Sequence, residues 1–185
     1  MGTELFSIAK GLTRGYPTFI VFASLLYSVL YADTTSFFFG IYLFLSDELN
    51  HLTKEYIAKP IFGNKKLPIL GYGKRPYPNA ISSMFPPDTP SRSYGMPSGH
   101  AQIASVFSSY WSFKIWEDEE RDENMKLVSI TLLIGLALLV MYSRVYWMKC
   151  HTVQQVVLGG AIGTALGYAF YAYKDLFMNK EIKKE

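Results

Sequence analysis

The stretch Thr152–Tyr173, TVQQVVLGGAIGTALGYAFYAY, runs 22 residues without one charged side chain. A helix rises about 1.5 Å per residue and the hydrocarbon slab is about 30 Å thick, so about 20 mostly apolar residues cross it. The stretch meets that length and decides the fold class. Working outward, LVSITLLIGLALLVMY (127–142) and PTFIVFASLLYSVLYA (17–32) read the same way. TTSFFFGIYLFL (34–45), running on into Asp47 and Glu48, and AQIASVFSSYWSF (101–113), ending near Lys114, are shorter. Lys114 snorkels to the interface and does not veto its span. The expectation is an all-α, polytopic membrane bundle of five spans. It forms one domain over residues 1–185, led by a short amphipathic or interfacial segment from Met1 to Gly15. Glu4 and the lack of an A-x-A-like site argue against a signal peptide there.

Composition agrees with a membrane chain. Half of the 185 residues are hydrophobic and 16% aromatic, while 18% are charged, against about 25% in an ordinary soluble domain. A net charge of +3 without a basic face excludes a nucleic-acid module. Cys150 is the lone cysteine, so no internal disulfide forms. Gly159, Gly163 and Gly167 recur every four residues, placing three missing side chains on one helix face for close packing.

Two polar segments interrupt the apolar pattern: a loop of about residues 54–97, rich in Pro, Gly, Lys and Arg, and the acidic hairpin EDEERDENMK (117–126). Alternating the spans puts the long loop, His100, Arg144 and His151 at one membrane face. There Arg75, Arg92, Ser98, His100, Arg144 and His151 gather with several lysines and hardly any carboxylate. Guanidinium forks suit phosphate oxygens, whereas hard cations want carboxylates and two isolated histidines do not make a zinc site. No metal or other cofactor is expected. Two histidines on one phosphate can divide attack and leaving-group protonation.

Pro97, Ser98 and Gly99 are start-of-helix residues whose free N–H groups can hold an anion; an ordinary cap before an interfacial histidine reads the same residues. Arg144 by itself also suits a membrane-end anchor. His151 and Gln155, four apart, share a helical face, so Gln155 can accept from one ring nitrogen and leave the other free. On that acceptor argument, aspartate at 155 is expected to serve better than leucine. Asp47 and Glu48 at a span's last turns, and His51 beside them, read as a solvent-facing helix end.

Together these residues resemble the type-2 phosphatidate phosphatase superfamily. Its three motifs, a lysine followed by Arg-Pro, a PSGH block, and Ser-Arg followed by a histidine, stand here as Lys54 with Arg75-Pro76, Pro97–His100, and Ser143-Arg144 with His151. Lys59 and Lys74 compete with Lys54. Six residues separate Arg144 from His151 where the family has five; the extra one would turn a continuous helix by about 100°, so the inter-helix turn must absorb it. An insertion of about residues 60–73 delays Arg75. Relatives often have six spans, the additional one N-terminal.

The resemblance implies a membrane phosphatase with a phosphohistidine intermediate: His151 the nucleophile, His100 the general acid, and Lys54, Arg75, Ser98, Gly99, Ser143 and Arg144 around the phosphoryl oxygens. SYGMPSGHAQ and SRVY…HTVQQVV are similar to the dolichyl-diphosphatase subgroup, including glutamine at 155 where most relatives carry aspartate. That implies a polyprenyl diphosphate substrate, a bilayer as partner, and an endoplasmic-reticulum membrane with a lumen-facing site. A lipid monophosphate or soluble phosphate ester as substrate, or a non-catalytic relative, are the alternatives.

Overall fold

The computed structural model describes residues 2–77 and 94–178. Its first helix, α1 (Gly2–Tyr31), takes in the expected lead-in without a break. Residues 2–15 are therefore helical and joined to the first apolar stretch, although Pro17 sits inside the helix and cannot donate to the carbonyl of Thr13. Phe6, in the second turn of α1, meets Trp147 edge-on at 5.4 Å, so the N-terminal turns lie against the chain beyond the fourth apolar stretch.

Ala32, in the left-handed region at φ 50°, reverses the chain. Asp33 then caps α2 (Thr34–Leu52), accepting from Thr35 N at 3.1 Å and from Ser36 Oγ. The helix runs through a wide turn, Thr53–Ala58, into the short α3 (Lys59–Phe62), which Gly63 ends at φ 50°. A two-stranded antiparallel hairpin follows, β1 (Lys66–Leu67) on β2 (Gly71–Tyr72), with Lys66 opposite Tyr72. It occupies about half of the insertion read from the sequence.

The remaining long helices are α4 (Gly99–Glu117), α5 (Glu123–Tyr142) and α6 (Val153–Met178). Asp122 starts α5 by accepting from the backbone N–H groups of Asn124 and Met125. The segments Glu123–Trp147 and Val153–Lys174 are long and apolar enough to cross a membrane, with hydropathies of 2.1 and 1.4. Their side chains turn outward in numbers unusual for a soluble core: Leu132 and Leu127 are 68% and 65% exposed.

The glycine stripe explains how α4 and α6 meet. A Cβ on Gly159 would collide with the carbonyl of Ser98, one on Gly163 with that of Gln102, and one on Gly167 with Ser109 Oγ. Bare backbone on α6 thus lies directly on the serine-rich face of α4, a close approach that small residues allow. Aromatic packing closes the far end. Phe39 of α2 stacks on Tyr110 of α4 at 4.1 Å and meets Phe170 of α6 at 5.2 Å.

Candidate active site

Arg144 sits at the end of α5, in a wide turn over Ser143–Trp147 closed by Met148 N donating to Ser143 O at 2.8 Å. Such a turn holds one residue more than an α-turn, and the sequence carries one residue more than the family spacing here. Lys149, at φ 53°, then swings the chain back, and the N–H groups of Cys150 and His151 both donate to the carbonyl of Arg144, at 3.1 and 3.3 Å. The extra residue therefore does not rotate His151 away. Arg144 and His151 are tied by backbone and are both buried.

Gln155 fixes the imidazole. Its Nε2 donates to the carbonyls of Tyr72 at 2.9 Å and Lys74 at 2.8 Å. Only an amide NH₂ can face two carbonyls, so Oε1 must be the end turned to the ring, 2.9 Å from His151 Nδ1. Nδ1 is then the donor, and Nε2 keeps its lone pair. Arg75 Nη1 donates to that Nε2 at 3.0 Å and to the Cys150 carbonyl at 3.2 Å. The hairpin thus delivers Arg75 to His151 and is latched by the same glutamine that orients the ring. Gly95 leaves room for the latch: a Cβ there would lie 2.8 Å from Gln155 Nε2 and 2.7 Å from the Gly73 carbonyl.

Ser98 is fully buried at the start of α4, its N–H donating to the Gln155 carbonyl at 3.0 Å. The hydroxyl does not cap the helix, and Ser98 Oγ has no hydrogen-bond partner among the described residues. A buried hydroxyl left in that state beside an N-terminal helix turn suits an anionic oxygen. His100, in the first turn of α4, places Nε2 3.0 Å from the carbonyl of Arg14. Nε2 must donate to that carbonyl, which leaves Nδ1 as the nitrogen available for proton transfer.

Lys54, Arg75 and Arg144 act electrostatically on both His100 and His151. The structure thereby gathers five of the expected residues from four parts of the chain. Lys54, in the wide turn after α2, is 4% exposed. Lys59 points outward and pairs with Glu55 at 2.9 Å, while Lys74 is exposed and offers its carbonyl to Gln155. Of the three competing lysines, Lys54 alone lies in the cluster. Ser143 is buried, but its hydroxyl donates to Val140 O at 2.7 Å within its own helix. Arg92 lies outside the described residues.

Burial first, then the cations Arg75, Arg144 and Lys54, hold His151 well below the ordinary histidine value. Near neutral pH the ring is uncharged, as a nucleophile requires. Burial and the Arg75 guanidinium likewise push Lys54 down to about 7, with Asp47 opposing them.

Several supporting groups were not read from the sequence. Gln102 Nε2 donates to the Ser46 carbonyl at 2.8 Å, which turns Gln102 Oε1 toward Asn50 Nδ2, also at 2.8 Å. This fully buried amide pair joins α2 to α4 beneath Gly99, where an added Cβ would lie 3.0 Å from Asn50 Oδ1 and 3.4 Å from Asp47 Oδ1. Asp47 is therefore at the edge of the site rather than merely at a solvent-facing helix end. An uncharged amide near His100 in an otherwise apolar stretch was the available signal for Gln102, and an amide one turn before Lys54 that for Asn50. Backbone acceptors such as Arg14 O leave none.

A model of the PAP2 superfamily matches residues 35–178. The chain belongs to the PAP2 superfamily. It is 31% identical over 166 residues to Dolichyldiphosphatase 1 of Rhinolophus ferrumequinum, a match covering 86% of this chain and 58% of that one. It is 37% identical over 82 residues to Dolichyldiphosphatase 1 of Dictyostelium discoideum, covering 43% and 35%, and 32% identical over 87 residues to that of Homo sapiens, covering 43% and 36%. The chain thus spans from about a third to just over half the length of these relatives. No solved structure matches it. The PAP2 match includes Lys54, Arg75, Ser98, Gly99, His100, Ser143, Arg144, His151 and Gln155. Arg14, whose carbonyl holds His100, lies before it.

Proposed function

We propose that this PAP2 superfamily chain is an integral membrane phosphatase that removes the terminal phosphate of a polyprenyl diphosphate. The observation that carries the reading is the His151 ring: Gln155 holds Nδ1–H, and Nε2 faces the Arg75 guanidinium. A phosphoryl group beside Arg75 would lie next to that lone pair. Ser98, the first N–H groups of α4, Lys54 and Arg144 would take the remaining oxygens, with Ser143 near them through its backbone.

His151 Nε2 attacks the terminal phosphorus and forms a P–N bond as the bond to the leaving oxygen breaks. His100, protonated at Nδ1, gives its proton to that oxygen and releases the polyprenyl monophosphate. His100, now neutral, takes a proton from water. The hydroxide so formed attacks phosphorus, the P–N bond breaks, and inorganic phosphate leaves. The cationic and amide donor set supplies charge stabilisation without a metal. The sequence spans, five in number, would hold the site at one lipid–water boundary. An endoplasmic-reticulum membrane with a lumenal site follows from the dolichyl-diphosphatase resemblance.

The test is phosphate release by reconstituted protein from dolichyl diphosphate, dolichyl phosphate and phosphatidate. Preferred turnover of the diphosphate supports this reading. Preference for a monophosphate moves it to another lipid phosphatase of the superfamily, and inactivity on all three overturns it.

A further inference from the structure

From Tyr56 to Tyr77 the chain carries Lys59, Lys65, Lys66, Lys74 and Arg75 and no acidic residue. Arg75 is directed to His151 and Lys59 to Glu55. Lys65, Lys66 and Lys74 are exposed around the β1–β2 hairpin. Its tip is apolar: Ile69 is 85% exposed, and Leu70 beside it 37%. A small hairpin that presents an isoleucine to water has no folding reason to do so; basic flanks around an apolar tip match the layered chemistry of a lipid headgroup region.

Position agrees with chemistry. The hairpin is fastened to residues 150–155 by Arg75 and Gln155, and to the PSGH segment by Met96 N donating to the Gly73 carbonyl at 3.0 Å. Residues 148–152 join the two membrane-length segments Glu123–Trp147 and Val153–Lys174. The hairpin therefore lies at the level where both helices end. In the wide turn and in α3, Tyr56 and Ile61 are 76% and 58% exposed, which continues the apolar surface of α2 toward the hairpin.

We propose that the β1–β2 hairpin is an interfacial anchor: Ile69 and Leu70 enter the outer edge of the bilayer, and Lys65, Lys66 and Lys74 contact anionic phospholipid headgroups. The proposal rests on the reading that α5 and α6 cross a bilayer. Because Tyr72 and Lys74 also hold Gln155, the anchor sets the height of the site above the lipid. A diphosphate carried by a membrane-embedded chain then arrives at the level of Arg75.

Single-site labelling tests it, since Cys150 is fully buried and an added surface cysteine takes the fluorophore. Ile69→Cys, Leu132→Cys and Glu119→Cys carry an environment-sensitive dye in vesicles of phosphatidylcholine mixed equally with phosphatidylglycerol. Lipids brominated near the headgroup or in mid-chain serve as quenchers. The expected result is blue-shifted emission at position 69, quenched by the shallow bromines; quenching by the deep ones at 132; and water-like emission at 119. Replacing phosphatidylglycerol with phosphatidylcholine, or combining Lys65→Ala with Lys66→Ala, is expected to reduce quenching at 69 and leave 132 unchanged. Water-like emission at 69 with 132 quenched overturns the anchor alone. Water-like emission at both overturns the membrane reading with it.

Discussion

His151 Nδ1 lies 2.9 Å from Gln155 Oε1, and the other end of the same amide holds the backbone of Tyr72 and Lys74. One side chain therefore sets the tautomer of the ring and the position of the segment that brings Arg75 to it. A carboxylate can do the first and not the second.

That changes the expectation for position 155. Gln155→Asp keeps an acceptor but shortens the side chain, removes two donors and turns negative charge toward two carbonyls. A buried polar group left unsatisfied costs about 1–3 kcal/mol, and about 1.4 kcal/mol is tenfold in rate. Gln155→Asp is expected to lose at least about tenfold in kcat/KM, as severely as Gln155→Leu. Steady-state kinetics of the two variants side by side check this.

The lysines separate cleanly. Lys54→Met removes a buried cation from the site and is expected to raise KM and lower kcat/KM by about tenfold or more, the scale of a charged hydrogen bond. Lys59→Met breaks only an exposed pair with Glu55, worth about 0.2–1 kcal/mol, and leaves kinetics unchanged. Equal losses in both would remove Lys54 from the site.

Three shifted groups give the pH profile its sign. His151 stays neutral as pH falls through 6.5, while burial first and then Arg144 hold His100, the proposed acid, well below its ordinary value, so kcat/KM is expected to rise as pH falls and more His100 is protonated. Lys54 loses its proton as pH rises through about 7, which adds to the alkaline decline, and Lys54→Arg is expected to remove the Lys54 part of it. Stability follows the depressed histidine. Unfolded His151 binds protons below 6.5 while the folded form resists them, so its contribution is present above 6.5 and lost as pH drops toward the folded value. Thermal melts of wild type and His151→Asn across that range show the difference.

Gly163 tests the α4–α6 contact. A side chain there would run into the Gln102 carbonyl, and overpacking a tight contact costs about 1–3 kcal/mol, occasionally more. Gly163→Leu is expected to lower thermal stability in detergent, whereas Gly135→Leu on α5, with nothing within 4 Å of an added Cβ, is not.

Of the candidate-site residues, His100, Arg144 and His151 were legible because each stands at the end of an apolar stretch, while Lys54 and Arg75, in polar segments, were legible only through the superfamily motif. The glycine stripe was legible from spacing alone. What was hidden depends on backbone brought from afar, as with Arg14 O on His100 and the Tyr72 and Lys74 carbonyls on Gln155, since any sequence offers carbonyls. That the lead-in and the first apolar stretch form one helix was hidden for a local reason: a helix tolerates Pro17 by forgoing one hydrogen bond. The extra residue before His151 was visible, but its absorption by a wide turn at Ser143–Trp147 is a backbone choice that composition does not encode.

The proposed attack by His151 is tested most directly by trapping the covalent intermediate. In His100→Ala, an aryl phosphate with an activated leaving group needs no acid to depart, while the second step lacks its base. Mass spectrometry of the protein quenched under alkaline conditions is expected to find phosphohistidine at position 151, and none in His100→Ala/His151→Ala. Turnover near the wild-type rate in His151→Ala, or accumulation of phosphate on any other residue, would contradict it.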